Sequence, residues 1–114
     1  MAFPGKYNFN YYRGDTGQMV IRPKTANGSA FNLTGYTAEY TIADSRNTGA
    51  AQYSDGITAV VNTVSNIVTC TITPTGGRAL EAGDYVYDVQ ITNGIEIYTL
   101  LEGLITVTND ITGA

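Results

Sequence analysis

The chain has 114 residues, enough for one domain with a single core. Six Lys and Arg against ten Asp and Glu give a net charge of −4, which argues against nucleic acid as a partner, since phosphate binding needs an excess of cations. Histidine is absent and Cys70 is the single cysteine, which removes the common zinc sites, the Ser-His and Cys-His nucleophile pairs and any internal disulfide. No cofactor-binding motif is present.

Thr, Val and Ile together supply 35 residues and Tyr nine, against only five Leu. β-Branched and aromatic side chains suit a pleated surface, so an all-β domain is expected. The opening residues have no apolar stretch behind Lys6, so no secretory leader is expected. The longest charge-free run, 56–77, is interrupted by Thr, Asn, Ser and Pro and does not suit a membrane helix. The expected picture is a protein folded where it is made, with Cys70 reduced and no membrane contact.

Taken in chain order, residues 7–12 alternate Tyr7, Phe9 and Tyr11 with Asn8, Asn10 and Tyr12, the period of a half-buried strand. Residues 14–17 break it, and 18–22 resume as a strand with Met19 and Ile21 on one side. Ala26-Asn27-Gly28-Ser29 is a turn. Tyr36, Ala38, Tyr40 and Ile42 then mark a strand with one dry face, followed by a polar loop over 44–49. Strands follow over 57–61 and 67–73, the latter alternating Val68, Cys70 and Ile72 with Thr69 and Thr71. Cys70 is therefore expected to be a small buried hydrophobe. Residues 75–82 are the only helical candidate, one turn with Leu80 folded inward.

Tyr85, Tyr87, Val89 and Ile91 mark the clearest strand. Asn93-Gly94 then predicts a two-residue hairpin turn into a partner strand over 95–101 that continues over 104–108. Gly103 inside that partner predicts a bulge or a close backbone approach. About seven strands with turns at this spacing predict an immunoglobulin-like β-sandwich, with a small barrel as the alternative. The domain is expected over 13–112, preceded by an aromatic segment over 1–12 that forms a first strand.

Several motifs have a bland explanation. Arg13-Gly14-Asp15 spells an adhesion tripeptide but reads as a turn before the next strand. Asn27-Gly28-Ser29 and Asn32-Leu33-Thr34 are glycosylation sequons that a threonine-rich chain produces by chance. Asp84 and Asp88 share a strand face four residues apart, too far for a shared proton, so no paired-carboxylate chemistry is expected. Charge is divided: residues 1–46 carry a balance of +2 and residues 47–114 a balance of −6, which favours head-to-tail meeting of copies.

The tyrosines are the remaining signal. Tyr7, Phe9, Tyr11 and Tyr12 crowd a terminal segment that either covers its own sandwich edge or docks on a neighbour. With Lys6, and with Glu96 and Tyr98 of the last hairpin, they form the candidate contact surface. Removal of residues 1–12 is expected to leave the domain folded while abolishing those contacts.

The order of several motifs carries a resemblance. Arg13-Gly14-Asp15-Thr16 precedes a strand, and Phe31-Asn32-Leu33-Thr34-Gly35-Tyr36-Thr37-Ala38 opens the next. Leu80-Glu81-Ala82-Gly83-Asp84-Tyr85-Val86-Tyr87-Asp88-Val89-Gln90-Ile91 and Leu101-Glu102-Gly103-Leu104-Ile105-Thr106-Val107-Thr108 follow. This series, spanning about residues 8–112, resembles small immunoglobulin-like virion proteins of tailed bacteriophages. It is similar to the immunoglobulin-like domain that opens phage baseplate upper proteins and to short proteins in phages of cyanobacteria. The resemblance implies a non-enzymatic structural component of tail, baseplate, neck or capsid, made in the host cytoplasm. Its implied partners are other virion proteins and copies of itself. The alternative is a host-recognition module binding glycans through loop tyrosines.

Overall fold

A computed structural model describes residues 4–111 and shows an all-β sandwich. Its strands are β1 (Gly5–Lys6), β2 (Phe9–Tyr12), β3 (Gly17–Ile21), β4 (Thr37–Ala43), β5 (Gln52–Tyr53), β6 (Ile57–Asn62), β7 (Ile67–Ile72), β8 (Gly83–Thr92) and β9 (Ile97–Thr108). One short helix, α1 (Pro74–Arg78), lies between β7 and β8. The larger sheet runs β1-β9-β8-β4-β5, with β2 also on β9, and the smaller runs β3-β7-β6.

Alternation decides which face each strand buries. Tyr40 and Ile42 of β4, Val68, Cys70 and Ile72 of β7, and Tyr85, Tyr87, Val89 and Ile91 of β8 all turn inward and meet between the sheets. Their Thr and charged neighbours face out. Cys70 is buried as expected, and burial pushes its thiol up from 9.0 to about 12. Tyr40 and Tyr87 are raised further, chiefly by the same desolvation.

Those shifts give stability an alkaline limit. Above about pH 9 the unfolded chain ionises Cys70, and above about 10 its tyrosines, while the folded chain keeps these groups protonated. Stability is full below those unfolded values and falls as pH rises toward the folded ones, by about 1.4 kcal/mol per pH unit for each group. Urea melts at pH 7, 9, 10 and 11 are expected to show a midpoint that holds between the first two and then falls steeply. A midpoint level through pH 11 contradicts the buried-hydroxyl core.

The helical turn forms where expected. Pro74 sets its first residue, and the Thr73 hydroxyl caps it by accepting from the Gly76 N–H at 3.1 Å. Gly76 and Gly77 are buried, and a Cβ on Gly77 would strike the Tyr11 hydroxyl. Leu80, fully buried, follows as the inward anchor. At the start of β8 the Tyr85 hydroxyl donates to the Glu81 carbonyl at 2.7 Å, pinning the corner between helix and strand.

One local expectation is corrected, and another is met in one of its two forms. The last hairpin has a four-residue loop, 93–96, rather than a two-residue turn: Thr92 pairs with Ile97. The cause is the Asn93 side chain, whose Oδ1 accepts from the Ile95 N–H at 3.0 Å and the Glu96 N–H at 2.8 Å. The β8–β9 ladder also shifts register, since Val89 pairs with Leu101 and Gln90 with Thr99, leaving Leu100 as an extra residue. The irregularity therefore sits at Leu100.

Gly103 is instead the close approach. It is buried opposite Tyr87, and a Cβ there would run into the carbonyl of Tyr7. That carbonyl is fixed by the Tyr87 hydroxyl at 2.7 Å, and the adjacent Tyr7 N–H donates to the Glu102 carbonyl at 2.9 Å. Gly103→Ala is expected to cost about 1–3 kcal/mol, read as a lower chemical-denaturation midpoint, because the obstacle is anchored backbone.

Candidate interaction surface

The N-terminal segment is a strand of the larger sheet, running parallel to β9 in one unbroken register: Gly5 opposite Leu101, Lys6 opposite Glu102, and Phe9 through Tyr12 opposite Ile105 through Thr108. It bows out at Tyr7 and Asn8 over Gly103, where the Asn8 side chain takes the Leu104 N–H at 3.0 Å.

This placement divides the candidate contact residues. Tyr11 is only 4% exposed; it belongs to the core, its hydroxyl donates to the Asp15 carbonyl at 2.5 Å, and it is not accessible to a partner. Phe9 is half-buried, stacked on Tyr7 at 5.6 Å and edge-on to Tyr87 at 5.4 Å. Lys6, Tyr7 and Tyr12 are exposed. The segment thus covers its own sandwich edge through Phe9 and Tyr11 and offers only its other side chains outward. The expectation that residues 1–12 are dispensable for folding is therefore withdrawn.

Glu96 is exposed at the tip of the last hairpin, and the Tyr98 hydroxyl donates to it at 2.6 Å, which pushes that hydroxyl up to about 12. The Tyr98 ring lies half-buried against Phe31 and Tyr36, at centroid distances of 6.0 and 6.3 Å. Lys6 and Tyr7 lie beside the middle of β9 and Glu96 just before its start, so this one strand links the two groups of candidates.

Exposed apolar residues extend the surface: Ile95 and Ile97 are 92% and 66% exposed, and Leu104 is 50% exposed. Sequence reasoning missed the isoleucines because it treated residues 95–101 as one regular strand. The loop removes Ile95 from the ladder, and the extra Leu100 changes the side on which Ile97 falls.

On the outer face of the larger sheet, the loop over 44–50 overhangs a polar cleft of about 500 Å³ containing Glu39, Arg46 and Asp88. Arg46 pairs with Glu102 at 3.0 Å. Asp88 is half-buried, and desolvation raises its carboxyl while Arg46 opposes the shift. Among the described residues no cluster of three His, Cys, Asp or Glu is placed to hold a metal ion, and no helix is long and apolar enough to cross a membrane.

Arg13-Gly14-Asp15 is a structural turn. The Arg13 guanidinium donates twice to the Arg78 carbonyl, at 2.8 and 3.2 Å, Gly14 takes φ +87°, and the Asp15 N–H donates to the Tyr12 carbonyl at 3.0 Å. An arginine tied down in this way is not presented for capture.

The chemistry this surface offers is association, through aromatic and aliphatic contact, hydrogen bonds and exposed charges. No protein-family model matches the chain, and no curated protein is significantly similar to it.

Proposed function

We propose that the chain is a non-enzymatic structural component of a tailed-phage virion, an immunoglobulin-like domain that works by protein–protein contact. The observation that supports the immunoglobulin-like part of this reading is the strand order. With β3, β4, β6, β7, β8 and β9 taken as strands B, C, D, E, F and G, the sheets read B-E-D and G-F-C, the arrangement of immunoglobulin sandwiches. The Tyr85–Glu81 bond at the entrance to β8 adds a tyrosine corner, a further mark of that class.

Fold alone does not fix function, so the motif resemblance supplies the step from sandwich to virion. Other virion proteins and further copies of the chain are the proposed partners. Lys6, Tyr7, Tyr12 and Glu96 are the accessible contact candidates, with Tyr98 beside them. Quantitative mass spectrometry of purified particles of a phage encoding the chain tests this: a fixed copy number per particle supports it. Recovery of the chain only outside particles overturns it. A glycan array on the purified chain is expected to be blank, whereas specific binding favours the host-recognition alternative.

A further inference from the structure

Among the described residues each sheet has an unpaired edge: β3 pairs only with β7, and β1 and β2 only with β9. Between these edges runs a groove of about 390 Å³ lined by Tyr7, Met19, Val20, Ile21, Arg22 and Leu101. The Leu100 irregularity matters to it, because Leu101 is thereby kept opposite Val89 at the groove wall. Tyr7 and Val20 remain 51% and 42% exposed beside it. Arg22 stands in the groove lining, whereas Lys6 lies opposite Glu102 on β9. The ion pairs formed among the described residues involve Arg46 and Arg78 and not Arg22.

The loop between β8 and β9 carries exposed apolar side chains and a charge opposite to that of Arg22. The loop after β8 projects Ile95 and Ile97, with Glu96 exposed between them. Two hydrogen bonds to the Asn93 side chain hold this tip, so little order is lost when it is buried. Ile97 lies opposite Thr92 and Leu101 opposite Val89, three ladder steps or about 10 Å apart. The tip therefore does not reach the groove of its own molecule. A two-fold pair in which each tip meets the other copy's groove is the reciprocal arrangement of an isologous contact.

We propose that the partner for this groove is a second copy of the chain, the Ile95-Glu96-Ile97 tip of each copy seating against Tyr7, Val20 and Leu101 of the other with Glu96 facing Arg22. This rests on the contact-forming reading above and names its partner. Apolar burial supplies the attraction, and the charges select the register.

Analytical ultracentrifugation of the full chain, from micromolar to about millimolar, is expected to show mass rising from one copy toward two. Glu96→Lys and Arg22→Glu are each expected to weaken association at least about tenfold, and the two together to restore most of it. Ile95→Ser with Ile97→Ser is expected to abolish association while leaving the thermal midpoint of the monomer in place, which separates docking from folding. Single-copy mass throughout, growth past two copies, or a charge-swapped double variant no better than its single parents overturns the proposal. Incorporation into particles is scored separately, so a chain that is monomeric yet present in virions removes the self-contact and leaves the virion role standing.

Discussion

Deleting residues 1–12 is expected to leave a chain without a cooperative unfolding transition at 25 °C. The deletion takes the parallel partner of β9, the buried Tyr11, the half-buried Phe9 and the Tyr7 carbonyl that accepts from Tyr87. Loss of one large buried aromatic costs about 3–5 kcal/mol, and a small domain has only about 5–15 kcal/mol in total. The near-ultraviolet dichroism of the truncated chain, a signal of packed tyrosines, is expected to collapse. A sharp transition within about 1 kcal/mol of the full chain contradicts the placement of β2. Tyr12→Ser, at a side chain 57% exposed, is the control and is expected to shift stability by no more than about 0.5 kcal/mol. The consequence for function is practical: Lys6, Tyr7 and Tyr12 need point substitutions, because truncation confounds contact with folding.

Tyr87→Ala is the second large effect, expected at about 3–5 kcal/mol. Its ring meets Phe9 at 5.4 Å and Tyr40 at 5.8 Å, both edge-on, and its hydroxyl reaches the Tyr7 carbonyl across the close approach at Gly103. Tyr87→Phe keeps the ring contacts and removes only that hydrogen bond, for an expected cost of about 0.5–1.5 kcal/mol. The ratio between the two variants is the informative quantity. Equal costs place the stabilisation in the hydroxyl, whereas the packing seen between the sheets requires alanine to be several times worse. Denaturant melts of both variants at pH 7 decide this.

How much was legible in advance follows from the range of each signal. Tyr40 and Ile42, Val68 through Ile72, and Tyr85 through Ile91 announce buried faces because alternation is written within one strand. Pro74 and Leu80 mark the helical turn for the same local reason. The partner of residues 9–12 lies about 96 positions away on β9, and no local pattern names it. A period-two segment of tyrosines looks alike whether it covers its own sheet or another molecule's. Among the contact candidates, Lys6, Tyr7, Tyr12 and Glu96 are exposed, while Tyr11 is core. Ile95 and Ile97 were hidden by a side-chain hydrogen bond at Asn93 and one extra residue at Leu100, each of which changes exposure without changing composition. The two-residue strand β5 is too short to carry any periodicity.

Contact also accounts for the uneven chemistry of the chain. Arg13, Arg46 and Arg78 are engaged within the fold, by the Arg78 carbonyl, Glu102 and Asp110 respectively. Arg22 is left at the groove, and Lys6 lies opposite Glu102 on β9. Of the five cations in residues 1–46, Arg13 and Arg46 are thus structural, and Lys6, Arg22 and Lys24 are exposed.

Imaging of an intact phage particle that encodes this chain, at a resolution that separates strands, tests the central claim most directly. The account predicts repeated density for the two-sheet domain at fixed positions, with residues 9–12 lying against its own β9 and neighbouring protein touching Lys6, Tyr7, Tyr12 or the loop around Glu96. Particles without this density, or with residues 9–12 paired to another subunit in place of β9, contradict it.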